Sequence, residues 1–157
     1  MDKPCFPPLL PAGFHDLDDN DIKSNFVEAF PESVRRSMLY CNYTQLLNQF
    51  RQINKQCECF SEVWIDGSFT TEKPEPDDID ILLVVDYLAL NRLPEALVPL
   101  VSKLLNRDYI KLNFNIDVLL LAKNHPDLDY EERRSYWRGW FGFDRKEKPK
   151  GLVRVML

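Results

Sequence analysis

No uncharged apolar run approaches the ~18 residues that would cross a bilayer as a helix, so no transmembrane span is expected. The N-terminal stretch also lacks a basic segment followed by an apolar one, and no secretory leader is expected. Histidine is scarce: His15 and His125 stand alone, with no metal-ligand spacing, and zinc chemistry is not expected. Of the four cysteines, Cys5, Cys41, Cys57 and Cys59, only the last two are close, and no second pair answers them. Reduced thiols and a cytoplasmic setting are therefore the default expectation. Internal repeats and low-complexity segments are missing too.

What is present is ordinary for one globular domain: 157 residues, 45% hydrophobic and 29% charged, a composition that excludes intrinsic disorder. A net charge of −5 speaks against a protein that coats nucleic acid. The average conceals a split. Residues 133–157 hold eight basic side chains against Asp144 and Glu147, a net +6, which leaves −11 for the remainder. A solvated basic tail explains this, and so does a basic end that balances an acidic site handling phosphates.

Along the chain, prolines at 4, 7, 8 and 11 make residues 1–15 an extended arm. The acidic cluster Asp16–Asp21 offers caps for a short helix through Phe26 to Phe30, interrupted by Pro31. A second helix is expected from about Glu32, since Leu39, Tyr43, Leu46, Phe50 and Ile53 step at helical spacing. Val63-Trp64-Ile65 reads as a short strand that stops at the Asp66-Gly67-Ser68 turn. Ile79 to Val85 is nearly continuous in apolar residues and fits a central strand buried on both faces. Leu93, Leu97, Leu100 and Leu104 predict a third helix ending near Arg107. Tyr109 to Ala122 reads as strand, most strongly at Ile116–Leu121. A last helix follows Asp127–Asp129, carries Trp137, Trp140 and Phe141 on one side as core, and stops at Gly142. Leu152–Met156 reads as a terminal strand. The class is α/β, with a mixed sheet of four or five strands and helices mainly on one face.

The segment that carries chemistry is Trp64-Ile65-Asp66-Gly67-Ser68, then nine residues, then Asp78-Ile79-Asp80-Ile81. Side chains alternate along a strand, so Asp78 and Asp80 share one face while Ile79 and Ile81 enter the other. Carboxylates at the start of a buried strand are costly unless something positive neutralises them. A hard divalent cation does so and keeps positions open for phosphates. Glycine lets backbone N–H groups approach an anion, and a serine hydroxyl adds a donor. Asp117 interrupts the apolar run Ile116-Asp117-Val118-Leu119 and converges on the same place if its strand lies beside Ile79–Val85. Three carboxylates can hold two metals for an in-line phosphoryl displacement. Taken singly, each piece has a plainer explanation: Asp78 as a turn residue, Asp80 as a cap, Asp117 as an edge residue. Their conjunction favours a metal site. Arg134 and Arg138, one turn apart, repel unless an anion intervenes or Glu131 pairs with Arg134.

Ile65-Asp66-Gly67-Ser68 with Asp78-Ile79-Asp80-Ile81 resembles the signature of the DNA polymerase β-type nucleotidyltransferases, and Asp117 matches their third acid. The resemblance covers about residues 60–121, and Trp137–Arg145 with Pro149-Lys150-Gly151 is similar to the ending of a small subfamily. It implies a single palm domain over 1–157. It also implies transfer of a nucleoside monophosphate from an NTP or dNTP to a hydroxyl acceptor, with release of pyrophosphate. Asp78, Asp80 and Asp117 would hold two Mg²⁺ or Mn²⁺ ions, and Asp117 would receive the proton of the attacking hydroxyl. Gly67 and Ser68 would seat the triphosphate, with Arg138 and Lys150 as further nucleotide-binding candidates. Stand-alone enzymes of this kind belong to bacterial toxin–antitoxin and antiphage systems, where the acceptor is a partner protein, tRNA or a nucleotide oligomer. A homo-oligomer or an operon-encoded partner protein is compatible with that setting. Phe69-Thr70-Thr71-Glu72 departs from the small-Arg-Gly continuation of the minimal antitoxin-type members. No helical domain follows the palm, so recognition of base and triphosphate falls to the aromatic, basic tail or to a second subunit. A catalytically silent binding module acting as an antitoxin is the alternative, and a two-metal nuclease or phosphatase is a third reading.

Overall fold

The computed structural model describes residues 5–157. The earliest part of the expected N-terminal arm, residues 1–4, lies outside the described residues. Five strands, β1 (Gly13–Asp16), β2 (Phe60–Asp66), β3 (Ile79–Asp86), β4 (Ile116–Lys123) and β5 (Gly151–Met156), form one mixed sheet in the order β1-β5-β2-β3-β4. β3 pairs in parallel with β4 and antiparallel with β2, while β5 runs antiparallel to β2 and parallel to β1. The last strand is thus an interior one. The expected arm does not stay free: Leu9 N donates to Thr70 O at 3.0 Å, Glu72 N donates to Pro7 O at 2.9 Å, and the arm's end becomes edge strand β1.

The main core lies between one face of the sheet and α2 (Val34–Asn54), whose Leu39, Tyr43, Leu46, Phe50 and Ile53 are all buried. Ser33 caps this helix by accepting from Arg36 N at 3.2 Å, and the Glu75 carboxylate accepts from Val34 N and Arg35 N at 3.1 and 3.2 Å. Each large apolar side chain buried there contributes about 1.5–3 kcal/mol. Before it, α1 (Asp19–Lys23) begins with a capping box from Asp18 and Asp21 and continues as a wider π-helical turn over Ser24–Glu28. β3 is buried on both sides as its apolar run requires.

After β3 come α3 (Tyr87–Leu90), a 3₁₀ turn at Glu95–Leu97 and α4 (Val98–Leu104). The stripe from Leu93 to Leu104 is therefore broken after Pro94, Pro99 sits in the first turn of α4 where proline is tolerated, and Val101 and Leu104 are the buried residues of that helix. The segment before β4 departs further from expectation. Tyr109 to Phe114, expected as strand, belong instead to helix α5 (Arg107–Phe114), opened by Asn106, whose side chain accepts from Tyr109 N. Asn115, at φ 54°, closes it in the left-handed region, which asparagine tolerates better than most residues. Ile110 and Phe114, one turn apart, are its buried pair, and β4 begins only at Ile116.

The other face of the sheet is covered by α6 (Tyr130–Phe141) over Trp64, Leu82, Val84, Leu121 and Leu152. Phe141 is buried and Trp137 packs against this smaller cluster, but Trp140 is 65% exposed. The core assignment of Trp140 fails because it follows Trp137 by three residues yet adjoins Phe141 on the solvent side of the helix.

Candidate active site

Alternation along the strands puts Ile65, Ile79, Ile81 and Ile116 in the α2 core and turns Asp66, Asp80 and Asp117 to the α6 side. Register then does the rest. Asp66 stands opposite Asp80 in the β2–β3 pair, and Asp80 opposite Asp117 in the β3–β4 pair, so three carboxylates cross three neighbouring strands in one row. Asp78 lies two residues before Asp80, just ahead of β3, at the mouth of the row.

Each acid is treated differently. Burial first, then the charges of Asp78, Asp117 and Asp66, push the Asp80 carboxyl up to about 7. Burial likewise raises Asp66 to about 6 against the pull of Lys150, whose Nζ is 2.8 Å from Asp66 Oδ1. Asp117 is held below the usual carboxylate range by the Arg107 guanidinium, which donates to its two oxygens at 2.6 and 2.9 Å. Asp78 pairs with Lys111. Burial works against the charge of Lys111, yet its bond to Asp78 and the field of Asp117 and Asp80 hold it above its ordinary value. Arg107 and Lys111 are one turn apart on α5 and therefore reach the same end of the sheet.

The turn after β2 is shaped around Asp80. Gly67 has φ 80°, and a Cβ at that position would collide with the Asp80 carboxylate, so only glycine fits there. Ser68 opens a one-turn 3₁₀ segment, Ser68–Thr70. Phe69, the departure from the small-Arg-Gly pattern, is fully buried against Phe26, 5.6 Å between ring centroids. The loop from Phe69 to Lys73 is pinned from α2. Arg36, with no exposed surface, donates to the carbonyls of Phe26 and Phe69 at 2.8 Å, Thr71 at 2.7 Å and Lys73 at 2.6 Å. Its guanidinium also stacks 3.8 Å from the Phe30 ring centroid.

Among the described residues no group of three His, Cys, Asp or Glu side chains is arranged to hold a metal ion, and Asp117 and Asp78 are turned to Arg107 and Lys111. The chemistry of these side chains is that of a hard divalent ion's donors, carboxylate oxygens throughout, and burial followed by neighbouring acids disfavours the bare charge on Asp80. The side chains of Arg107 and Lys111 are 60% and 48% exposed, so both ion pairs border solvent.

Of the candidate residues, Asp78, Asp80, Asp117, Gly67 and Ser68 are gathered at one end of strands β2 to β4, and Lys150 joins them through Asp66. Arg138 is not on the acids; it lies over the Phe14 ring, 5.6 Å from the centroid. Asp66, Arg107, Lys111 and Arg36 escape a reading of the sequence. Asp66 passes for a turn residue, although its period-two step from Trp64 is a usable signal. Arg107 and Lys111 look unrelated until residues 107–114 are a helix. Neither the curated proteins nor the solved structures give a match. A family model matches residues 4–156, nearly the whole chain, and its description is a family of unknown function, DUF6932. This chain belongs to that family.

Proposed function

We propose that the protein is a metal-dependent nucleotidyltransferase that moves a nucleoside monophosphate from an NTP or dNTP to a hydroxyl acceptor. The observation that carries this reading is the acid row: Asp80 and Asp117 in register on adjacent parallel strands, with Gly67 moulded against Asp80. A silent module has no need to hold a carboxyl in a position that raises it to about 7. Asp78, Asp80 and Asp117 would hold Mg²⁺ or Mn²⁺, which when bound offsets phosphate charge and polarises the reacting oxygens. Gly67 and Ser68 offer backbone and hydroxyl donors to the phosphates. Asp117, kept ionised by Arg107, accepts the proton once the guanidinium turns away. The acceptor oxygen bonds to the α-phosphorus as the α–β bridge breaks, and pyrophosphate leaves with the bonding pair. The acceptor is a protein, tRNA or a nucleotide oligomer, in a cytoplasmic defence or toxin–antitoxin setting.

The test is incubation with each labelled nucleoside triphosphate and Mg²⁺ or Mn²⁺, with candidate acceptors supplied. Pyrophosphate release is expected from wild type and is lost by at least ~10²-fold in Asp80→Asn, as for removal of one electrostatic catalytic group. Release unaltered by Asp80→Asn, or none with any triphosphate, overturns the proposal.

A further inference from the structure

We infer that the cleft between α6, β1 and the turn before β5 seats the nucleoside half of a nucleotide, whose phosphates pass Lys150 to reach the acid row. This rests on the nucleotidyltransferase reading and adds where the base and sugar go. The cleft has a volume of about 400 Å³, within the ~300–1,000 Å³ usual for small-molecule sites. Phe14, Arg138, Gly139, Phe143, Lys150 and Leu152 are among its walls. Three features match an aromatic anion.

The first is charge. Arg138 and Lys150 line the cleft, and two further guanidiniums lie around its Phe14 wall without lining it: Arg154 at 5.0 Å and Arg134 at 5.3 Å from the ring centroid, against 5.6 Å for Arg138. Only Arg154 is matched by a carboxylate, Asp16, at 2.6 and 3.0 Å. Among the described residues Arg134 and Arg138 have no acid within ion-pair distance. Like charges so assembled repel, and an anion relieves them.

The second is an unpacked aromatic. Phe143 leaves 47% of its surface exposed while the backbone on either side is fixed, by its bridge to Pro149 and by Lys150 N donating to Gly142 O at 2.8 Å. A held, bare ring at the lip of a cationic cleft is a stacking surface for a base.

The third is connection. Lys150 lines the cleft and ion-pairs with Asp66, which stands in register with Asp80. A ligand lying in the cleft therefore abuts the acid row through one shared side chain.

Gly139 allows a clean test. It faces the cleft, and a Cβ there would meet nothing within 4 Å, so Gly139→Leu fills the space and also favours the helix. Calorimetry with Mg²⁺ compares wild type and variant against the tightest-binding of ATP, GTP, CTP and UTP, and against tripolyphosphate, which has no nucleoside. Wild type should bind the nucleoside triphosphate at least tenfold tighter than tripolyphosphate. Gly139→Leu should lose that advantage and keep its tripolyphosphate affinity within about twofold, and Phe143→Ala should act in the same direction. An unchanged nucleotide affinity in both variants, or an equal loss for both ligands, overturns the cleft assignment. So does a wild type that binds tripolyphosphate as tightly as any nucleotide, which leaves the acid-site reading standing. A wild type that binds neither overturns both.

Discussion

Arg36 and Asp80 are both ionisable groups drawn into the fold, and their surroundings are opposite. The guanidinium of Arg36 is enclosed completely and finds carbonyl oxygens of the π-helical turn and of the loop after Ser68 on every side. Burial lowers it only to about 10, so it stays charged. Asp80 keeps a little surface and faces Asp66, Asp78 and Asp117; burial first, and then those charges, hold its proton up to about 7. A structural charge is supplied with partners by the protein. Asp80 is instead kept from water among other acids.

The sharpest way to break this contrast is to remove the satisfied charge. Arg36→Met leaves the carbonyls of Phe26, Phe69, Thr71 and Lys73 without their donor and should cost about 3–5 kcal/mol in urea unfolding. A loss below about 1 kcal/mol would show that water or backbone shifts replace the guanidinium easily.

Removing the unsatisfied charge should do the reverse. Because the fold holds the Asp80 proton up to about 7, against ~3.9 in the unfolded chain, the metal-free protein loses stability as pH rises from about 4 through 7. Asp66, held up to about 6, adds to the same trend. Asp80→Asn is therefore expected to be more stable than wild type by about 2–4 kcal/mol at pH 8 and equal to it near pH 4. Urea titrations at the two pH values decide, and a difference independent of pH would show that burial and the neighbouring acids do not raise the Asp80 carboxyl.

The smallest effect concerns the exposed cations that pair with Asp117 and Asp78. Arg107→Ala removes a solvent-facing pair and should change stability by less than about 1 kcal/mol. It also frees Asp117, so Mn²⁺ should bind the variant several-fold tighter than wild type in calorimetry. Weaker binding would mean that Arg107 orients Asp117 for the metal rather than competing with it.

Local signals were enough for much of the fold. The Leu39-to-Ile53 stripe has a helical period, the apolar runs from Ile79 and Ile116 have the bounded length of buried strands, and each became the expected element. Residues 109–114 were misread because Tyr109, Ile110, Leu112 and Phe114 fit strand alternation nearly as well as a helical face. The Asn106 cap and the left-handed Asn115 decided for helix.

By itself the sequence determined that acids would sit inside apolar strands, because Asp80 and Asp117 interrupt runs that must be buried. It determined too that a glycine would turn the chain beside them. Only the tertiary structure decided which acids meet. Strand order and register, set by long-range hydrogen bonding, put Asp66, Asp80 and Asp117 in one row and brought Lys150 from the chain's far end to Asp66. Periodicity fixes the face on which a side chain stands, whereas its neighbour across the sheet depends on which strands pair, and residues 66 and 150 come together only through that pairing.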